Sequence, residues 1–148
     1  MAYQAMRTKR VTEDFELADA DGNVKHVLHV NLDADDMLPK INKKYVELTK
    51  ALAETTEMKR KADSNEELDQ AYDLLGRATA ALYEAVFGKE DTETIVAFYE
   101  SRYIEMCREV TPFITGVVIP RCIEIKNENR KSILENYNKK QKTSLLKR

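Results

Sequence analysis

Residues 64–88 constrain the fold more than any other stretch. Ser64-Asn65-Glu66-Glu67 is a helix start, because a serine hydroxyl can accept from the amide three residues on while Glu67 reaches back. Leu68, Tyr72, Leu75, Leu82 and Val86 then recur at helical spacing as a buried stripe, with Ala71 and Ala78 letting a neighbour approach closely. Gly88 stands where a left-handed C-terminal cap is wanted. The spacing therefore predicts an amphipathic helix over about 65–87 that needs a partner for its apolar face.

A partner lies upstream. Asp35 or Asp36 can cap a first turn into which Pro39 fits, and Ile41, Tyr45, Leu48 and Leu52 form a stripe predicting a helix over about 36–61. The short link between the two predicts an antiparallel helical hairpin. Downstream, Lys89-Glu90-Asp91-Thr92-Glu93 opens a third helix, with Ile95, Phe98, Tyr99, Arg102, Met106 and Val110 on one face and acids at its positive end. Thr111 and Pro112 read as the cap and first residue of the next helix, which Pro120 should kink or interrupt. Ile123, Ile133, Leu134 and Tyr137 continue a thinner apolar pattern in a helix expected to fray before Arg148.

The N-terminal part differs. Asp21-Gly22 separates Phe15-Glu16-Leu17 from Val24–Leu32, and Asp-Gly between β-rich runs is a strong hairpin signal. Val24, His26, Leu28 and Val30 fall on one face of the second run, Val27, His29 and Asn31 on the other. Such a hairpin is marginal alone and must pack on the helices or pair with a neighbouring strand. Four glycines and three prolines in 148 residues are too few for an all-β fold, which needs a turn every ~8–12 residues. The expectation is an α+β protein, mostly α-helical with four to five helices and an N-terminal two-stranded β-hairpin. It forms one domain over 1–148, with a loose N-terminus over 1–14 and a basic, partly frayed C-terminal segment over 126–148.

The charge is divided. Residues 126–148 hold 8 of the 24 Lys+Arg and 2 of the 26 Asp+Glu. They carry +6 against −8 for residues 1–125. The basic segment is either a solvated end or an arm for an acidic partner or nucleic acid. Tyr137 is its one aromatic, which leaves little on which bases could stack. No apolar run reaches about 18 residues, so no membrane span is expected. Met1–Arg7 offers no apolar segment for an export signal. A cytosolic protein with Cys107 and Cys122 as free thiols follows.

Chemistry-bearing patterns are absent. A calcium loop begun at Asp19 would put Val24 at position six and Val30 at position twelve, where Gly and Glu are needed. His26 and His29 point to opposite faces of a strand, so they cannot chelate one ion. Neither cysteine lies in a CxxC pair, and a Cys107 or Cys122 nucleophile has no histidine nearby in sequence. Asp35/Asp36 and Glu66/Glu67 sit at helix starts, where capping explains them. No glycine-rich phosphate loop is present. The expectation is a protein that is not an enzyme and has no catalytic, metal or cofactor site. The surplus signal is apolar: Ile95, Phe98, Tyr99, Tyr103, Phe113, Ile114, Val117 and Val118 spread over more than one helix side. That marks either a central core helix or a face for another polypeptide.

The order of features also carries a resemblance. The hairpin is followed by a helix closing on Leu82-Tyr83-Glu84-Ala85-Val86-Phe87-Gly88, then by Lys89-Glu90, Val110-Thr111-Pro112-Phe113-Ile114 and Ile119-Pro120-Arg121. Over roughly residues 15–138 this resembles the tail assembly chaperones of tailed, siphovirus-type phages and prophages of Gram-positive bacteria. The resemblance implies a helical, self-associating, non-enzymatic protein without a cofactor. Its partners would be the tape measure protein and/or tail tube protein during tail morphogenesis, in the host cytoplasm. It would be absent from the mature virion, and a frameshifted longer form would branch near Thr143–Arg148. The alternative is a small prophage accessory protein that binds nucleic acid through residues 126–148.

Overall fold

A computed structural model of the chain describes residues 2–7, 9–32 and 35–146, with side chains to residue 139. The fold is α+β, mostly helical, with an N-terminal antiparallel hairpin of β1 (Thr12–Ala18) and β2 (Val24–Asn31). Phe15 pairs with Leu28 and Leu17 with His26 across the ladder, and the register shifts between Leu17 and Ala18. Asp19 builds the turn. Its carboxylate accepts from the amides of Asp21 (3.0 Å) and Asn23 (2.9 Å), and Gly22 takes φ +86°, open to glycine at no steric cost. These bonds, the one from Asn23 first, hold the Asp19 carboxyl below the usual carboxylate range. Strand β1 begins at Thr12, inside the 1–14 stretch expected to be loose, and the described residues 2–7 and 9–11 before it lie outside helix and strand.

Helix α1 (Met37–Lys61) and helix α2 (Asn65–Phe87) form the expected antiparallel pair, Thr55 Oγ1 donating across it to Ala71 O at 3.2 Å. Asp36 precedes α1 without a side-chain cap and instead pairs with Lys40 at 2.8 Å. The buried side of α1 is Met37, Ile41, Leu48, Ala51 and Thr55. Of the stripe expected on α1, Tyr45 turns outward and Leu52 is half-buried. On α2 the Ser64 hydroxyl accepts from Glu67 N at 3.2 Å, and Glu67 Oε2 accepts from Asp63 N at 2.9 Å. Tyr72 is exposed, with Lys59 Nζ 4.2 Å from its ring centroid.

Gly88 ends α2 and starts α3 (Lys89–Phe98). Its φ 84°, ψ 169° is a region essentially reserved for glycine. Its N–H donates to Glu84 O and its carbonyl accepts from Thr92 N and Thr92 Oγ1.

The single third helix expected from the sequence is broken at residues 99–102, and α4 (Tyr103–Glu109) follows. Two bonds close the end of α3, from Glu100 N to Ala97 O (3.1 Å) and from Ser101 N to Val96 O (3.0 Å). This is a Schellman arrangement with Glu100, at φ 53°, where glycine usually sits, and Ser101 also at φ 60°. The break lets Tyr103 lie on Gly76, where an added Cβ would come within 2.6 Å of the tyrosine ring. It also turns Met106 and Val110 into the core. Glu100→Gly should therefore raise stability by about 1 kcal/mol, read as a higher melting temperature. A loss would refute the left-handed assignment.

The next helix also departs from expectation. Thr111 is its first residue, not its cap: α5 (Thr111–Phe113) passes into a π-turn over Ile114–Val118 and then into α6 (Ile119–Leu146). Ile119 N donates to Ile114 O. Pro120 does not interrupt the helix, because the wider turn before it already forgoes the bonds that a proline would break. Helix α6 runs to Leu146, whereas Lys147 and Arg148, on which the expected end of fraying falls, lie outside the described residues.

One core joins these elements. It draws Leu17, Leu28 and Val30 from the hairpin, Leu75, Leu82, Tyr83 and Val86 from α2, and Ile95, Met106, Val110, Ile114 and Val118 from the C-terminal half.

Candidate interaction surface

The eight residues expected to form an apolar face do not form one. Ile95, Ile114 and Val118 are 0% exposed. Phe113 stacks inside an aromatic cluster, its ring centroid 4.6 Å from Phe15 and 6.1 Å from Phe87. Phe98 and Tyr99 meet edge to face at 5.0 Å, and Phe98 also meets His26 at 6.0 Å. Tyr103 covers Gly76. Of the eight, Val117 alone is well exposed, at 39%. Most of the apolar surplus of 95–125 packs into the chain's own core, while Ile104, Val117 and Ile123 stay exposed, a division that the helical pattern alone could not reveal.

The thiols and imidazoles stay apart. Cys107 Sγ lies 3.7 Å from Thr79 Oγ1, and Cys122 Sγ lies 3.9 Å from Met37 Sδ. His29 Nδ1 is 2.6 Å from Asp14 Oδ1 on the outer face of the hairpin. Burial pushes both thiols above the ordinary cysteine value, which lowers the thiolate fraction at neutral pH. Both should therefore alkylate slowly in the folded protein at pH 7 and at the ordinary rate in denaturant. Rapid labelling of one thiol in the native state would restore a nucleophile hypothesis. Among the described residues no group of three His, Cys, Asp or Glu could hold a metal ion.

Two features remain that a second polypeptide could use. The first is the outer part of α6. Every residue from 126 to 139 is exposed. Ile123, Lys126, Arg130, Ile133 and Leu134 recur at steps of three and four, which places them on one side. Ile133 is 69% and Leu134 50% exposed. A helix end this polar gains little from its own body, and Ile133 and Leu134 keep half or more of their surface in water.

The second feature is a groove along α1 and α2. One part, ≈ 670 Å³, is lined by Ala53, Glu54, Glu57, Met58, Lys61, Glu67 and Gln70. The next part, ≈ 390 Å³, has Ala51, Ala78 and Ala81 on its floor and shares Glu54 with the first. Small residues leave it open because nothing in the chain fills it. Ala78 was legible in the sequence as a close-approach position, whereas Ala51, Ala81 and the channel beside them were not. Among the described residues no helix is long and apolar enough to cross a membrane. No protein-family model, curated protein or solved structure matches the chain.

Proposed function

We propose that this chain is a non-enzymatic chaperone of phage or prophage tail assembly. It binds apolar helical segments of the tape measure protein and/or tail tube subunits in the host cytoplasm and leaves before the virion is complete. The observation that carries this reading is the solvent-exposed stripe of α6, a helix side that gains from being covered by another polypeptide. Burying apolar surface is worth ~25 cal/mol per Å², so a few hundred square ångströms suffice to hold a client helix reversibly. The resemblance in element order supplies the client class.

Co-expression with the tape measure protein tests it. The client should become soluble and elute with this chain. Unchanged client solubility with no co-eluting complex would end the proposal. One observation favours a second reading, binding of nucleic acid: Lys126, Arg130, Lys131 and Lys139 are exposed on α6. That reading requires a gel shift at low salt that weakens steeply as salt rises.

A further inference from the structure

The charges on α6 are sorted in the same way as its apolar side chains. At about 100° per residue, Ile123, Lys126, Arg130, Ile133 and Leu134 fall within an arc of roughly 100°. Glu124, Glu128 and Glu135 gather on the opposite side, centred about 150° away, together with Arg121, Lys131 and Lys139. Arg121 is bonded there to Glu124 at 2.7 Å. Among the described residues neither Lys126 nor Arg130 is held in an ion pair, and both are exposed. The stripe therefore presents two uncompensated cations beside two exposed branched side chains, with its acids turned away.

The approach to this side is cationic as well. Residues 1–11 hold Arg7, Lys9 and Arg10 and no acid, and these three side chains are exposed. They lead into β1 close to the foot of α6. The Arg121 guanidinium is held above the ordinary arginine value by its bond to Glu124 first, with the charges of Glu128 and Glu13 adding.

We infer that the partner of the α6 stripe is an amphipathic helix of another protein whose apolar side is flanked by Asp or Glu. The inference rests on the reading that the stripe receives a client helix, and it adds the charge that this client carries. Covering Ile133 and Leu134 partly desolvates Lys126 and Arg130, which costs free energy unless carboxylates meet them. A helix flanked by lysines would place like charges together. A phosphate backbone could meet the cations but would bury the two branched side chains against polar atoms.

Fluorescence anisotropy of the full chain with three labelled synthetic helices tests it. The helices share one leucine stripe and carry Glu, Gln or Lys beside it. At low salt the Glu helix should bind ~tenfold more tightly than the Gln helix, and the Lys helix most weakly. The differences should shrink at about 0.5 M salt, where exposed charges are screened. Lys126→Glu with Arg130→Glu should reverse the order of the Glu and Lys helices with circular dichroism unchanged. Ile133→Ser with Leu134→Ser should weaken all three helices alike. Equal binding of the three, binding of none, or an order that survives the charge reversal would overturn the inference. So would a DNA duplex that displaces the labelled Glu helix at lower concentration than the unlabelled Glu helix does. The outcome is separable from that of co-expression. A preference for the Glu helix beside an insoluble tape measure protein removes the chaperone reading alone, and equal binding beside a solubilised one removes this inference alone.

Discussion

Tyr83→Ala is expected to destabilise the protein by about 3–5 kcal/mol, the range for removing a large aromatic from a core, and so to consume a large part of a typical domain's stability. Tyr83 is the largest fully buried side chain. Its hydroxyl donates to Met106 O at 2.9 Å and lies 3.1 Å from Thr111 Oγ1, and its ring meets Phe87 edge to face at 6.0 Å. Burial drives its phenol pKa far upward, so the hydroxyl stays protonated and serves as a fixed donor. Tyr83→Phe separates the two contributions. It keeps the ring and removes one of two donors to the Met106 carbonyl, which still accepts from Val110 N at 2.8 Å, so the loss should be about 0.5–1.5 kcal/mol. Urea titration of both variants reads the difference. Equal losses would mean that the hydrogen bond, not the ring, holds α4 and α5 against α2, and a negligible loss for either would contradict the packing described.

The second large effect separates core from surface within one turn. Ile114→Ala should cost about 2–5 kcal/mol because the side chain is wholly enclosed, while Val117→Ala, three residues away, should change stability by less than about 0.5 kcal/mol. Both belong to the apolar stretch that the sequence alone leaves divided between core and docking face. If Ile114→Ala left the melting curve unchanged and weakened binding to a partner, the stretch would be a face after all.

Much of the architecture was readable where a local signal exists. Asp21-Gly22 announced the hairpin, and Ser64-Glu67 with Gly88 bounded α2 to within a residue, because caps and turns are decided by nearby atoms. The break between α3 and α4 was not readable. Neither Glu100 nor Ser101 is a left-handed former, and the gain that offsets their strain lies in the packing of Tyr103 on Gly76 and of Met106 and Val110 in the core. The smooth passage through Pro120 was hidden for a similar reason, since the π-turn before it has no sequence signature of its own. The candidate interaction residues failed differently. Helical spacing told that 95–118 is apolar on several sides, but which side meets the hairpin depends on Phe15, Phe87 and Phe113 converging from distant parts of the chain. The stripe of Ile133 and Leu134 was visible from the start, and only the absence of a covering element made it a surface.

The π-turn over Ile114–Val118 also sets the angular phase of everything that follows it. One residue of helix is about 100° of rotation. Winding these same residues as ordinary helix would swing Ile119 and Cys122 off the body, and with them the outward bearing of the entire distal rod, whereas deleting the one extra residue that the wide turn absorbs would leave that bearing nearly unchanged. The short bulge is thus the joint that aims the antenna.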